Sequence, residues 1–104
     1  MDTIYALSSG SLPSGVAVIR ISGPKAGAVL QTITPYLPGP RRAALRTIRH
    51  PDGSVIDQGL VLWFPGPRSE TGEDMAELQL HGGRAIVQAV FDVLSGQGLR
   101  LAEP

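Results

Sequence analysis

Apolar and polar side chains alternate one by one in two stretches of this chain and recur at helical spacing in two others. Residues 15–22 put Val16, Val18 and Arg20 on one face of a strand and Ala17, Ile19 and Ile21 on the other. Residues 75–80 do the same, with Glu77 and Gln79 opposed to Ala76, Leu78 and Leu80. A first helix is predicted where Ala26, Val29, Leu30 and Ile33 repeat, with Gly23 at the capping position and Pro24 at the first helical one. Pro35 and the Pro38-Gly39-Pro40 cluster end it, because proline lacks the backbone donor and clashes with the preceding turn. A second helix is predicted over 84–94, with Ile86, Val90 and Leu94 in one row, Val87 and Phe91 in the next, and Gly96-Gln97-Gly98 as its stop.

Residues 44–49 and 55–64 are β-prone and flank Pro51-Asp52-Gly53-Ser54, which supplies hairpin turn geometry. Residues 3–7 and 99–102 read as short strands, 8–14 and 65–74 as loops, and His81-Gly82-Gly83 as the turn into the second helix. The expected fold class is α+β: a small mixed or antiparallel sheet with a β-hairpin and two helices, forming a single domain over 1–104. No internal repeat, low-complexity tract or long linker divides it. The chain stops almost directly after its last predicted strand, so it is expected to be a piece of a longer protein.

Composition narrows the function. At 104 residues and 42% hydrophobic, the chain is an ordinary small globular domain with a thin core. Nine basic residues balance nine acidic ones, which leaves no summed positive field to gather phosphates. With no cysteine there is neither a disulfide framework nor a thiolate metal site. The first residues lack a basic leader region, and the longest apolar run, Leu60 to Phe64, is too short to span a bilayer. A cytoplasmic location without membrane contact is expected.

Several chemistries find no residues. The only lysine, Lys25, follows Pro24, so no Gly-Lys-Ser/Thr phosphate loop exists and this piece is not expected to hydrolyse GTP. His50 and His81 form no metal-ligand spacing, and no Gly-x-Ser-x-Gly nucleophile turn is present. No catalytic residue and no metal ligand is expected. Three constellations remain. Arg20 places a planar fork of donors near the end of an apolar strand, suited to a carboxylate or equally to an internal ion pair. Glu77, on the polar face of its strand, offers two acceptor oxygens that match the adjacent N–H donors of an aminopyrimidinone ring, or it simply pairs with an arginine. His81-Gly82-Gly83 presents bare backbone before a helix, which serves an anion or merely makes a turn.

Taken in order, Asp2-Thr3-Ile4, Arg20-Ile21-Ser22-Gly23, Asp52-Gly53-Ser54-Val55-Ile56-Asp57-Gln58-Gly59, Trp63-Phe64-Pro65-Gly66-Pro67, Thr71-Gly72-Glu73-Asp74, Glu77-Leu78-Gln79, His81-Gly82-Gly83 and Ala102-Glu103-Pro104 resemble the start of the tRNA modification GTPase family called MnmE or TrmE. The resemblance spans essentially the whole chain. It implies an N-terminal module, followed in the full protein by a helical domain carrying an inserted GTPase domain. The module is similar to the folate-binding part of the glycine-cleavage aminomethyltransferase. The resemblance further implies binding of 5-formyl- or 5,10-methylene-tetrahydrofolate and constitutive homodimerisation. With an FAD protein of the MnmG or GidA type, such proteins add an aminomethyl or carboxymethylaminomethyl group at C5 of the tRNA wobble uridine. GTP, Mg and K would belong to the GTPase domain. By matching motif, Arg20 and Glu77 correspond to cofactor-binding positions that contact the folate, with Asp74 and His81 as secondary candidates.

Two departures accompany the resemblance. Loop 8–15 is uncharged where the family is often rich in Pro, Gly and Arg, and the chain ends before the segment in which the family places a lysine contact to folate. Two other roles stay open on the residues alone. The apolar hairpin segment of Leu60, Leu62, Trp63 and Phe64 could serve a ligand-free dimer interface, and Arg41, Arg42, Arg46 and Arg49 form either an RNA contact or a solvated basic face.

Overall fold

The computed structural model describes residues 2–9 and 14–102. Most of the predicted 8–14 loop and the chain end at Glu103-Pro104 lie outside the described residues. The elements run β1 (Ile4–Leu7), β2 (Ser14–Ser22), α1 (Ala26–Ile33), β3 (Ala44–Arg49), β4 (Val55–Phe64), β5 (Met75–Gly82), α2 (Arg84–Gly96) and β6 (Arg100–Leu101). The six strands form one mixed sheet in the order β3-β4-β5-β2-β1-β6. All neighbours are antiparallel except β1 and β6, which run parallel. The fold is α+β, with the hairpin and the two helices that the periodicity implies.

Alternation along the strands sorts the sheet into two unlike faces. Ala17, Ile19 and Ile21 of β2, Ala76, Leu78 and Leu80 of β5, Val61 of β4 and Ile48 of β3 are buried beneath the helices. Ala26, Val29, Leu30 and Ile33 of α1 and Val87, Val90, Val93 and Leu94 of α2 cover them, so one core lies on one side of the sheet. Tyr5 closes its β1 end edge-on to Phe91, with ring centroids 5.0 Å apart. The other face has no helix on it, and it carries Val16, Arg20, Leu45, Leu60, Glu77 and Gln79.

Three expectations are corrected. The first helix begins at Ala26, not at Pro24, because Gly23 takes a φ of 138° and donates its N–H to the Asp74 carbonyl at 2.9 Å. The free N–H of Lys25 at the helix start is then satisfied from afar, by the Thr3 hydroxyl at 2.9 Å. Second, His81 and Gly82 belong to β5 and not to a turn, since Val16 and Ser14 of β2 pair with them. Sheet pairing there overrides the local turn preference of glycine. Third, Trp63 is not part of an exposed apolar patch with Leu60, Leu62 and Phe64. It points to the helix side, and its ring lies under Gly27 of α1, 3.0 Å from where a Cβ would stand.

At Gly59, β4 leaves no room for a side chain against β5. A Cβ there would meet the Gln79 carbonyl oxygen at 2.3 Å and Leu80 Cδ2 at 2.8 Å. Gly59→Ala should therefore cost about 2 kcal/mol through overpacking, a fall of roughly 8–16 °C in Tm. Thermal unfolding of the two proteins followed by circular dichroism checks this, and an unchanged Tm would show that β4 and β5 can part without loss.

Candidate functional site

Arg20 and Glu77 are direct partners across the β2–β5 ladder, so both side chains rise from the uncovered face at the same level. Arg20 Nε donates to Glu77 Oε1 at 3.1 Å, and one of its terminal nitrogens donates to Glu70 Oε2, also at 3.1 Å. Glu77 Oε2 accepts from the Gln79 side-chain amide at 2.8 Å. The Glu77 side chain is only 13% exposed, against 41% for Arg20 and 70% for Glu70. The guanidinium and the amide offset part of the cost of enclosing this carboxylate. Each of its oxygens nevertheless retains an unused lone pair.

Beside this pair lies a hollow of about 150 Å³ lined by Arg20, Phe64, Glu70, Met75 and Glu77. Phe64 and Met75 are opposite one another across β4 and β5, one step along the sheet from Leu62 and Glu77. The hollow thus has an apolar wall at one end and a charged one at the other. Its rim is the 65–74 loop, which folds back over the sheet through polar contacts. Ser22 Oγ is 2.8 Å from Thr71 Oγ1 and donates to Glu73 Oε2 at 3.0 Å, while the Ser69 hydroxyl donates to the Glu73 carbonyl.

Asp74 and His81 are placed away from that pair. Asp74 Oδ1 accepts the Gly66 N–H at 2.8 Å and pins the base of the loop, next to a separate hollow lined by Pro24, Gly66, Gly72, Glu73 and Asp74. His81 stands at the far end of β5, its side chain 74% exposed, with Nδ1 2.9 Å from Asp57 Oδ1. Asp57 Oδ2 also accepts the His81 backbone N–H at 2.9 Å, where the β4–β5 ladder has run out of carbonyl partners. Burial pulls the Asp57 pKa upward, but the backbone N–H groups of His81 and Gln58 and the His81 ring outweigh it and hold the carboxyl below its ordinary value. His81 also borders a third hollow, of about 230 Å³, with Val16, Leu45, Leu60 and Gln79.

Sequence reasoning missed Glu70, Gln79, Phe64, Met75 and Asp57 as parts of these sites. Gln79 carried a usable signal, since a residue two positions from Glu77 in a strand shares its face. Glu70 carried none, because a loop has no periodicity to orient it. Among the described residues no group of three or more His, Asp or Glu side chains is placed to hold a metal ion. No helix among them is long and apolar enough to cross a membrane.

The polar pair on the helix-free sheet face, walled by an aromatic ring and a thioether, is the candidate site. Residues 3–104 match the family described as GTP-binding protein TrmE N-terminus, and the chain belongs to that family. It is 60% identical over 103 residues to the tRNA modification GTPase MnmE of Rhizobium meliloti (strain 1021), covering 98% of this chain and 24% of that protein. It is 58% identical over 105 residues to the protein of the same name from Novosphingobium aromaticivorans, covering 99% and 24%. A third, from Brucella canis, is 59% identical over 103 residues, covering 98% and 23%. The chain therefore spans about a quarter of the length of the relatives it matches.

The Asp57–His81 contact has a pH signature. Because the folded state lowers the Asp57 pKa, its contribution is complete above the unfolded value near 3.9 and disappears as pH falls through the lower, folded one. Asp57→Asn should lower stability by about 1 kcal/mol at pH 7, and the gap between the two proteins should close below about pH 4. Urea unfolding at pH 7, 5 and 3 measures it; a gap independent of pH would assign the loss to packing.

Proposed function

We propose that this chain is the one-carbon-tetrahydrofolate-binding and dimer-forming part of a tRNA modification GTPase, and that the folate ring sits at the Arg20–Glu77 hollow. The observation that carries this reading is a nearly enclosed carboxylate with spare acceptor capacity facing a small hollow with an apolar wall. Paired amino and ring N–H donors of a reduced pterin complement the free lone pairs of Glu77. Phe64 and Met75 offer the apolar contact that a ring face needs. Arg20 orients Glu77 through its Nε contact. Its contact to Glu70 is exposed and held weakly, so a polar atom of the ligand replaces Glu70 at little cost. Gln79 fixes the second carboxylate oxygen. Asp74 and His81 act at a distance, by holding the loop and the strand end that frame this face.

A bound 5-formyl- or 5,10-methylene-tetrahydrofolate would supply the one-carbon unit. In the longer protein, GTP hydrolysis with Mg and K belongs to the remaining three quarters of the chain, and modification of C5 of the tRNA wobble uridine is carried out with an FAD protein of the MnmG or GidA type in the cytoplasm. The relatives' names support the tRNA and GTPase parts. The homodimer is supported by the exposed apolar residues of the helix-free face, Val16 at 54%, Leu45 at 61% and Leu60 at 38%.

The test is calorimetric titration of 5-formyl-tetrahydrofolate into the full-length protein and its Glu77→Gln variant. Losing the charged acceptor should cost about 1.5–3 kcal/mol, a tenfold or greater rise in Kd, while Tm stays within a few degrees. Equal affinity in the two proteins rules out Glu77 as the ring's partner. Sedimentation of the ligand-free protein checks the dimer, and a monomer at micromolar concentration would refute that part.

A further inference from the structure

The balanced net charge of this chain conceals a segregation. From Thr3 to Pro51 there are six basic residues, Arg20, Lys25, Arg41, Arg42, Arg46 and Arg49, and no acidic one. Four of them fall within positions 41–49, along and just before β3, which is an edge strand of the sheet. Elsewhere arginine finds carboxylates: Arg20 has Glu77 and Glu70, and Arg100 has Asp2. Along β3 it finds none among the described residues. The guanidinium of Arg41 donates to the backbone carbonyl of Arg68, that of Arg46 to its neighbour Leu45, and that of Arg49 to Gly53 at 2.8 Å. Arg46 Nε is buried without a hydrogen-bond partner.

From this geometry we infer that the β3 edge, with Arg41, Arg42, Arg46, Arg49 and Arg68, is a docking strip for the phosphate backbone of tRNA. The inference rests on reading the protein as one that acts on tRNA, and is independent of the folate site. Basic side chains gathered at one margin of the sheet without a carboxylate partner leave a local positive field, which an anionic partner would neutralise. The arrangement also chooses among anions. None of the three hollows described above is lined by any of these arginines. Arg46 and Arg49 sit on a strand of six residues, about 17 Å at ~3.3 Å per residue, with Arg41 and Arg42 just before it and the Arg68 carbonyl bonded to Arg41. A line of charge suits a chain of phosphates, and arginine forks suit phosphate oxygens. The competing role is protection of an edge strand against pairing with other strands, for which basic residues also serve.

Arg42 and Arg68 separate the two roles, because neither guanidinium has a partner among the described residues and their removal should leave the fold intact. Equilibrium binding of a tRNA transcript to the full-length protein is measured over a range of salt concentrations, for wild type, the Arg42→Ala/Arg68→Ala variant and the Arg42→Lys/Arg68→Lys variant. The alanine variant should lose about tenfold in affinity near 0.1 M salt. Its slope of log K against log salt should be shallower by about 1.4–1.8, two phosphate contacts' worth. The lysine variant should keep the wild-type slope, and 5-formyl-tetrahydrofolate affinity should be unchanged in all three, which keeps this result separate from that of the Glu77 site. Unchanged affinity and slope in the alanine variant would overturn the proposal. If that variant instead self-associates while binding tRNA normally, the arginines are edge protection only and the proposal is equally overturned.

Discussion

The antiparallel pairing of β2 with β5 is the constraint on which both faces of this molecule depend. Eight residue pairs run from Ser22 with Met75 to Ser14 with Gly82. Side chains alternate, so the same register that sends Ala17, Ile19, Ile21, Ala76, Leu78 and Leu80 under the helices sends Arg20 and Glu77 to the open side. A slip of one residue in either strand would turn Arg20 or Glu77 into the core and expose that strand's buried apolar side chains. The packing of α1 and α2 therefore holds the polar pair in position without touching it.

Floor and rim of the hollow are stabilised by different forces. The floor is sheet, backed by fully buried side chains, and should be as rigid as the core itself. The rim is the 65–74 loop, held by Ser22, Thr71, Glu73 and Asp74 through hydrogen bonds, with Glu70 reaching out to Arg20 through solvent-exposed atoms. Segments of that kind open at lower free energy than core strands. A rigid acceptor beneath an adjustable rim suits a ligand that enters from solvent and is then partly enclosed. It also explains why Asp74, distant from the hollow's centre, matters to its shape: its carboxylate and carbonyl tie the loop to Gly66 and Gly23.

Membership of the TrmE N-terminal family, over about a quarter of the relatives' length, sets what can be asked of this chain. The helix-free face brings acceptor, cation and apolar wall together, and the β3 edge gathers guanidinium groups that have no carboxylate partner among the described residues, a charge that composition alone averages to nothing. These two regions lie on different parts of the sheet, one at β2–β5 and the other at its β3 margin. A small ligand and a large anionic one would not compete for the same residues.

Much of the architecture was legible because alternation and helical spacing are local. Strands β3 and β4 match their predicted ranges, the two faces of β2 and β5 were assigned correctly, and proline and glycine marked the helix ends. The errors share one cause: a distant segment decided a local outcome. Thr3 and Asp74 shape the start of α1, β2 extends β5 through His81 and Gly82, and Gly27 receives Trp63. For the site, the sequence by itself determined that Arg20 and Glu77 each stand on the polar side of a strand, because a period of two follows from backbone geometry. Only the tertiary structure decided that they meet, that Glu70 and Gln79 join them, and that Phe64 and Met75 wall the hollow, because register and loop closure depend on the packing of the whole chain.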